Sequence, residues 1–232
     1  MPFIERIEDS SRQPVVRGFL HRPDVVPARG LVLTHGASGN CNAPLLVALA
    51  SAFAENGFAV LRCDLPFRQR RPSGPPLGTS AEDRAGLRNA VEAVRRLLSG
   101  PVFLGGHSYG GRQASMLAAE DPAVGQGLLL LSYPLHPPQN PNQLRTAHFP
   151  ELRTPALFVH GSRDPFGSES EMRAAIDLIP AKTTLLIVEG AGHDLAFSRH
   201  KAGSHAQALL ERILRAHQES FDLTASEVPL RA

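Results

Sequence analysis

The stretch Gly105-Gly106-His107-Ser108-Tyr109-Gly110-Gly111 follows an apolar run, Val102–Leu104, and precedes a helical run, Arg112–Glu120. It fits G-x-S-x-G, the nucleophile elbow, with Gly106, Ser108 and Gly110 in register. A turn this sharp from strand to helix leaves no room for side chains beside the central serine, so glycines flank it. The strain lifts the Ser108 hydroxyl above the sheet edge. The helix beginning at Tyr109 aims its free N–H groups at the same spot, which favours a negative charge developing there. The bare pattern also arises by chance. A strand before it, a helix after it and a doubled glycine on each side give it weight.

Working outward, two more apolar strands end in polar loops. Pro155–Val159 runs into His160-Gly161-Ser162-Arg163-Asp164-Pro165-Phe166-Gly167, and Thr184–Val188 runs into Glu189-Gly190-Ala191-Gly192-His193-Asp194. Asp164 and His193 thus each stand just past the carboxyl end of a predicted strand. In an open parallel sheet those ends share one edge, where ligands bind. The order Ser, Asp, His is the one this type of elbow carries, and each gap leaves room for a crossover helix and a strand. The chemistry wants these three types. A serine hydroxyl needs a base within hydrogen-bond reach. A neutral imidazole can accept its proton, and a carboxylate fixes the tautomer and stabilises the imidazolium. Asp164 also suits an Asx-turn before Pro165, a role compatible with catalysis. Asp194 is the one nearby acid that competes with it. Upstream, the strand Gly30–Thr34 runs into His35-Gly36-Ala37-Ser38-Gly39. Such a turn supplies the second N–H of an oxyanion hole. The expected donors are Ala37 and Tyr109, with Gly36 as the alternative, and His35 as a brace of the turn.

Composition bounds the rest. The 232 residues are 42% hydrophobic and 20% charged, which suits one globular domain over residues 1–232, with 222–232 as a loose tail. A net charge of +2 predicts no special attraction to nucleic acid or membrane. Of the basic residues only Lys182 and Lys201 are lysine. The first ten residues carry Glu5, Glu8 and Asp9 and no apolar core of a signal peptide. Cys41 and Cys63 are the only cysteines, which points to a reducing, cytoplasmic setting rather than a disulfide framework. No CxxC, H-E-x-x-H, P-loop or dinucleotide fingerprint is present, so the expected chemistry uses neither metal nor cofactor.

Strands are expected near Phe3–Ile7, Val15–His21, Leu31–Thr34, Ala59–Arg62, Val102–Leu104, Leu128–Leu131, Ala156–Val159 and Thr184–Val188. From the third onward they are short and unalternating, as buried parallel strands are; the first two suit an antiparallel start. Helices are expected over Ala43–Asn56, Ala81–Leu98, Tyr109–Glu120, Ser168–Leu178 and Gly203–Glu219, with Gly57 as a stop and Ser80 as an N-cap. The alternation means an α/β class, doubly wound sheet with helices on both faces. Two segments break it. Leu65–Thr79 carries four prolines with Arg68, Arg70 and Arg71. It reads as irregular structure overhanging the site, either a basic lip for an anionic substrate or a solvated loop. Tyr133–Thr154 carries five prolines, which exclude a long helix. It is too short for a large cap, so the pocket is expected to be open, roofed by Tyr133, Leu135, His136 and Phe149. The alternative reading of His136 is a loop histidine without a role.

With these residues in view, the chain resembles the α/β-hydrolase superfamily over residues 15–217. More narrowly it resembles the small bacterial hydrolases grouped with a testis-expressed protein and an NSL chromatin-complex subunit, with the dienelactone hydrolases as more distant cousins. The narrow likeness rests on Leu33-Thr34-His35-Gly36-Ala37, Ser132-Tyr133-Pro134-Leu135-His136-Pro137-Pro138, Gln143-Leu144-Arg145-Thr146 and Gly161-Ser162-Arg163-Asp164-Pro165-Phe166-Gly167. His107 and Tyr109 depart from it, since that subgroup carries Arg or Lys and Met beside the serine. The resemblance implies an α/β-hydrolase fold, an eight-stranded mostly parallel sheet with little or no cap. It implies no settled substrate; the triad residues themselves lead to a metal-independent serine hydrolase of a small ester, thioester or related acyl substrate. The alternatives are a non-catalytic interaction module on the same fold, or an acyltransferase or peptidase with the same triad.

Overall fold

The computed structural model describes residues 2–195, 197 and 204–223. Eight strands form one sheet in the order β1-β2-β4-β3-β5-β6-β7-β8. They are β1 (Phe3–Asp9), β2 (Val16–Arg22), β3 (Arg29–Thr34), β4 (Phe58–Asp64), β5 (Val102–His107), β6 (Leu128–Leu131), β7 (Ala156–Gly161) and β8 (Thr183–Val188). β2 pairs antiparallel with β1 and β4, and every pair from β4 to β8 is parallel. The strand pattern explains this. β3 to β7 are almost wholly buried apolar runs, which need helices on both faces, whereas the edge strand β1 alternates and stays half exposed.

Helices α1 (Pro44–Glu55) and α6 (Ser204–Ser220) cover one face. Helices α3 (Ser80–Arg95), α4 (Tyr109–Glu120) and α5 (Glu169–Ile176) cover the other. The alternate side chains of each strand feed the two cores: Leu129, Leu131, Leu157 and Val159 face α1 and α6, while Leu128, Leu130 and Phe158 face the opposite layer. Gly57 stops α1 at φ 85°, its N–H bonded to the Ala54 carbonyl. Ser168 and Glu171 close a capping box on α5.

Three expectations shift. The cap of α3 is Thr79, not Ser80; its hydroxyl accepts the Glu82 N–H, so the helix begins one residue earlier. Leu65–Thr79 is not wholly irregular, because Pro66–Arg70 forms a short helix, α2, with Pro66 in the first turn, where a missing N–H costs nothing. The connection from β6 to β7 is not a roof. It holds one 3-10 turn, Phe149–Glu151, and buries Tyr133, Leu135, Phe149 and Leu152 in the core. Gly203, at the expected start of α6, and residues 224–232 of the expected tail lie outside the described residues. Among the described residues no helix is long and apolar enough to cross a membrane.

His217 of α6 sits among Phe53, Phe58, Phe103 and Phe221 with ring centroids 4.7–5.6 Å away. Neither ring nitrogen has a partner, and burial pushes it down to about 3. His21 and His148, also buried, are pushed down to about 4. Each stays neutral in the fold but takes a proton in the unfolded chain near the ordinary histidine value of about 6.5. Stability is therefore full above that value and falls as pH drops from there toward 4. Urea unfolding at pH 7.5 and pH 5 will show this loss. His217→Leu will reduce it, with His21 and His148 still contributing, while leaving stability at pH 7.5 close to wild type; an unchanged slope would refute the assignment.

Candidate active site

The elbow stands at the carboxyl end of β5, in the middle of the sheet between β3 and β6. Ser108 takes φ 52° and ψ −117°, a strained conformation for a side chain-bearing residue. The strain is held from both sides. The Ser108 N–H donates to the Leu131 carbonyl at 2.8 Å, and the Arg112 N–H donates to the Ser108 carbonyl at 3.0 Å. The glycines are required by closeness. A Cβ on Gly106 would lie 2.8 Å from the Thr34 carbonyl oxygen, and one on Gly110 would lie 2.6 Å from that of His35. The turn after β3 also lies beside the serine: a Cβ on Gly36 would sit 3.4 Å from the Ser108 Cβ.

Asp164, past β7, and His193, past β8, converge on Ser108. His193 Nδ1 lies 2.8 Å from Asp164 Oδ2, and its Nε2 lies 2.8 Å from Ser108 Oγ. A carboxylate only accepts, so Nδ1 carries the hydrogen and Nε2 presents a lone pair to the hydroxyl. The Asp164 carboxylate is fully buried, and its other oxygen accepts the Phe166 N–H at 2.9 Å. The Phe166 ring lies against the imidazole, centroids 4.3 Å apart. His193 itself is partly open to solvent. This chain of hydrogen bonds can take a proton from the hydroxyl and return it to a leaving group.

The turn after β3 is braced from beneath. His35 is buried, its Nδ1–H donating to the Gly36 carbonyl at 2.8 Å while Nε2 accepts the Leu65 N–H at 3.2 Å. Burial lowers its proton affinity, which suits the neutral ring these bonds require. The Gly36 carbonyl also accepts the Gly39 N–H at 3.1 Å. Because the peptide is planar and trans, a tethered Gly36 carbonyl fixes the Ala37 N–H in the opposite direction. Tyr109 is anchored through its side chain. Its hydroxyl donates to Asp83 Oδ2 at 2.8 Å, the other oxygen of Asp83 accepts the Phe67 N–H at 3.2 Å, and Phe67 packs edge-on to the Tyr109 ring.

The residues expected to touch substrate are placed otherwise. Arg68 is 4% exposed and donates to the carbonyls of Ala37 (2.6 Å), Gly74 (3.0 Å) and Arg71 (3.1 Å), so its charge is spent on the loop. Arg70 pairs with Glu82 on the surface, and Arg71 is exposed. Tyr133 is fully buried and donates to the Arg145 carbonyl, because its ring packs on Phe149 and Phe158. His136 is 5% exposed, its Nδ1 bonded to the Pro137 carbonyl, with Glu171 at 3.5 Å from Nε2. Sequence reading missed the parts of Phe166, Asp83 and His107, the last 2.8 Å from the His193 carbonyl. Their signals are their places: two beside the site motifs, one in the first turn of α3. Cys41 is no rival nucleophile, since burial and Asp64 push its thiol up to about 12. Among the described residues no three His, Cys, Asp or Glu side chains form a metal-ligating cluster.

A family model described as an alpha/beta hydrolase domain matches residues 27–221. Est1E from Butyrivibrio proteoclasticus superposes with a TM-score of 0.74 at 16% identity, covering 94% of this chain and 99% of that one. Dienelactone hydrolase from Anabaena variabilis gives 0.70 at 19%, covering 93% and 96%. XC6422 from Xanthomonas campestris, described as an a/b serine hydrolase without lid, gives 0.73 at 16%, covering 97% of both chains.

The placement of the arginines has a measurable consequence. Arg68→Met leaves three carbonyls without their donor, and unfolding free energy should fall by about 2–4 kcal/mol. Arg70→Gln, at an exposed pair, should change it little. Equal effects in urea titrations would refute the bracing role of Arg68.

Proposed function

The chain belongs to the alpha/beta hydrolase domain family, and we propose that it is a serine hydrolase of small ester or thioester substrates, with Ser108 as nucleophile, His193 as general base and acid, and Asp164 as the orienting carboxylate. The observation that carries this reading is the unbroken Asp164–His193–Ser108 chain of 2.8 Å contacts at the carboxyl edge of the sheet. Ser108 Oγ attacks the acyl carbon as its proton passes to His193 Nε2. The carbonyl oxygen becomes an oxyanion held by the N–H groups of Tyr109, at the start of α4, and Ala37. The intermediate collapses, the leaving group takes the proton from His193, and the acyl group stays on Ser108. Water then attacks by the same route in reverse and frees the acid. Asp164 holds the imidazole by its Nδ1–H and stabilises the imidazolium.

Small substrates fit the geometry best. The β6–β7 connection buries Tyr133, Leu135, Phe149 and Leu152, leaves residues 138–144 as a short exposed loop, and holds no helix beyond one 3-10 turn. The Xanthomonas neighbour described as lidless has the same fold. With Arg68 engaged by carbonyls, anionic substrates gain no buried partner there. Arg70 and Arg71 reach only solvent-screened positions.

The test uses a fluorophosphonate probe and short activated esters. Wild type should label and turn over, and Ser108→Ala should do neither, its rate falling by at least about 10³-fold. Asp164→Asn should cost far more than Asp194→Asn. A folded wild type that the probe does not label would refute the proposal and favour a non-catalytic module. In the same panel, Arg70→Gln with Arg71→Gln should leave the ratio of anionic to neutral ester rates unchanged; a fall in that ratio would restore the basic lip.

A further inference from the structure

We propose that His107, the residue before Ser108, is a positioning residue: its ring clamps the main chain of His193 to the elbow, and so holds the base in line with the nucleophile. The inference rests on the triad reading above.

His107 ends β5 and is registered opposite Leu131 of β6, which directs its side chain to the face covered by α1 and α6. The loop after β8 returns on that face. There His107 Nε2 lies 2.8 Å from the His193 carbonyl oxygen, with the two rings 5.1 Å apart. A carbonyl only accepts, so Nε2 bears the hydrogen and Nδ1 the lone pair. Burial lowers the proton affinity of His107, in keeping with a ring that carries a single hydrogen. The fit also reaches the turn after β3: a Cβ on Gly36 would stand 3.0 Å from His107 Nδ1. One ring thus touches three loops, those of the nucleophile, the base and the proposed oxyanion donor.

The clamp acts on the same residue whose side chain does the chemistry. The His193 ring is fixed at one end by Asp164 and on one face by Phe166. Its backbone lies in a glycine-rich turn, Gly190-Ala191-Gly192. That turn is tied by the Ala191 N–H to the Val188 carbonyl and by the Arg163 N–H to the Ala191 carbonyl. Neither bond engages His193 itself. The His107 bond does, and it spans 86 residues of chain to do so. A displacement of about 1 Å in a catalytic group costs on the order of 10²-fold in rate.

Two variants and one spectrum test this. His107→Leu keeps volume and removes the donor. His107→Gln places an amide N–H near the position of Nε2. For a short activated ester, the Leu variant should lose about 10–100-fold in kcat with KM within about twofold, the signature of an interaction that serves the transition state. The Gln variant should recover most of that loss. A downfield proton signal of the His193 Nδ1–H, expected in wild type from its 2.8 Å bond to Asp164, should broaden away in the Leu variant and persist in the Gln variant. In uniformly ¹⁵N-labelled wild type, long-range ¹H–¹⁵N correlations should report hydrogen on Nε2 of His107. Unchanged kcat in His107→Leu, a loss of the same size in His107→Gln, or hydrogen on Nδ1 would each overturn the clamp. If His107→Leu does not fold, the tautomer and the Gln variant still decide. A wild type that neither labels with fluorophosphonate nor turns over esters counts against the triad reading instead, and the tautomer is measured regardless.

Discussion

The closeness of two backbones governs this site. The turn between β5 and α4 presses its glycines onto the end of β3, at distances where a single Cβ on Gly106 or Gly110 would overlap a main-chain oxygen. That contact does two things at once. It bends the chain sharply enough to hold Ser108 at φ 52°, a conformation that costs about 1–3 kcal/mol. It also brings the His35–Gly36 turn, which continues β3, beside the serine hydroxyl. Nucleophile and proposed oxyanion donor are therefore placed by one interaction rather than two. The cost is met by the two cores on either side, where β5 and β6 are buried throughout their apolar length.

Around this contact the protein spends its buried polar groups on backbone rather than on ligand. Arg62 is 4% exposed; it donates to His21 Nε2 at 2.8 Å and to the Cys41 carbonyl. Arg68 donates to the Ala37 carbonyl, His35 to that of Gly36, and Asp83 receives both Tyr109 and Phe67. The bonds of Arg68, His35 and Asp83 hold segments that carry or adjoin site atoms. The His35 contact has an electronic side too: donation to the Gly36 carbonyl polarises the Gly36–Ala37 peptide and strengthens its N–H as a donor. Loops built this way need little reorganisation when charge develops, which is the condition for electrostatic stabilisation of a transition state.

Much of this was legible in the sequence. The elbow, the strand order of Ser, Asp and His, and the antiparallel start depend on local patterns, namely glycines at a turn and apolar runs of strand length. The structure places all three polar side chains within hydrogen-bond reach of one another. The partners of the long side chains were not legible. Arg68 in a proline-rich segment looks like solvated charge until the Ala37 carbonyl, far upstream in the chain, is folded against it. Tyr133 looks like pocket lining until Phe149 and Phe158 close over it. The Thr79 cap was misplaced by one residue because Thr79 and Ser80 are adjacent and both accept such bonds.

The proline-rich connection from β6 to β7 is anchored in the core at both ends. Its polar atoms are stitched inward: Tyr133 to the Arg145 carbonyl, the Arg145 N–H to the Leu135 carbonyl, and the Arg145 guanidinium to the Pro134 carbonyl. Pro134 suits the buried start of the segment, since it removes an N–H that would otherwise need a partner in the core, while residues 138–144 stay exposed. Under the proposed reaction, Ser108, His193 and the two N–H groups converge on the reacting centre, and interactions there strengthen as the tetrahedral species forms, so they act on kcat.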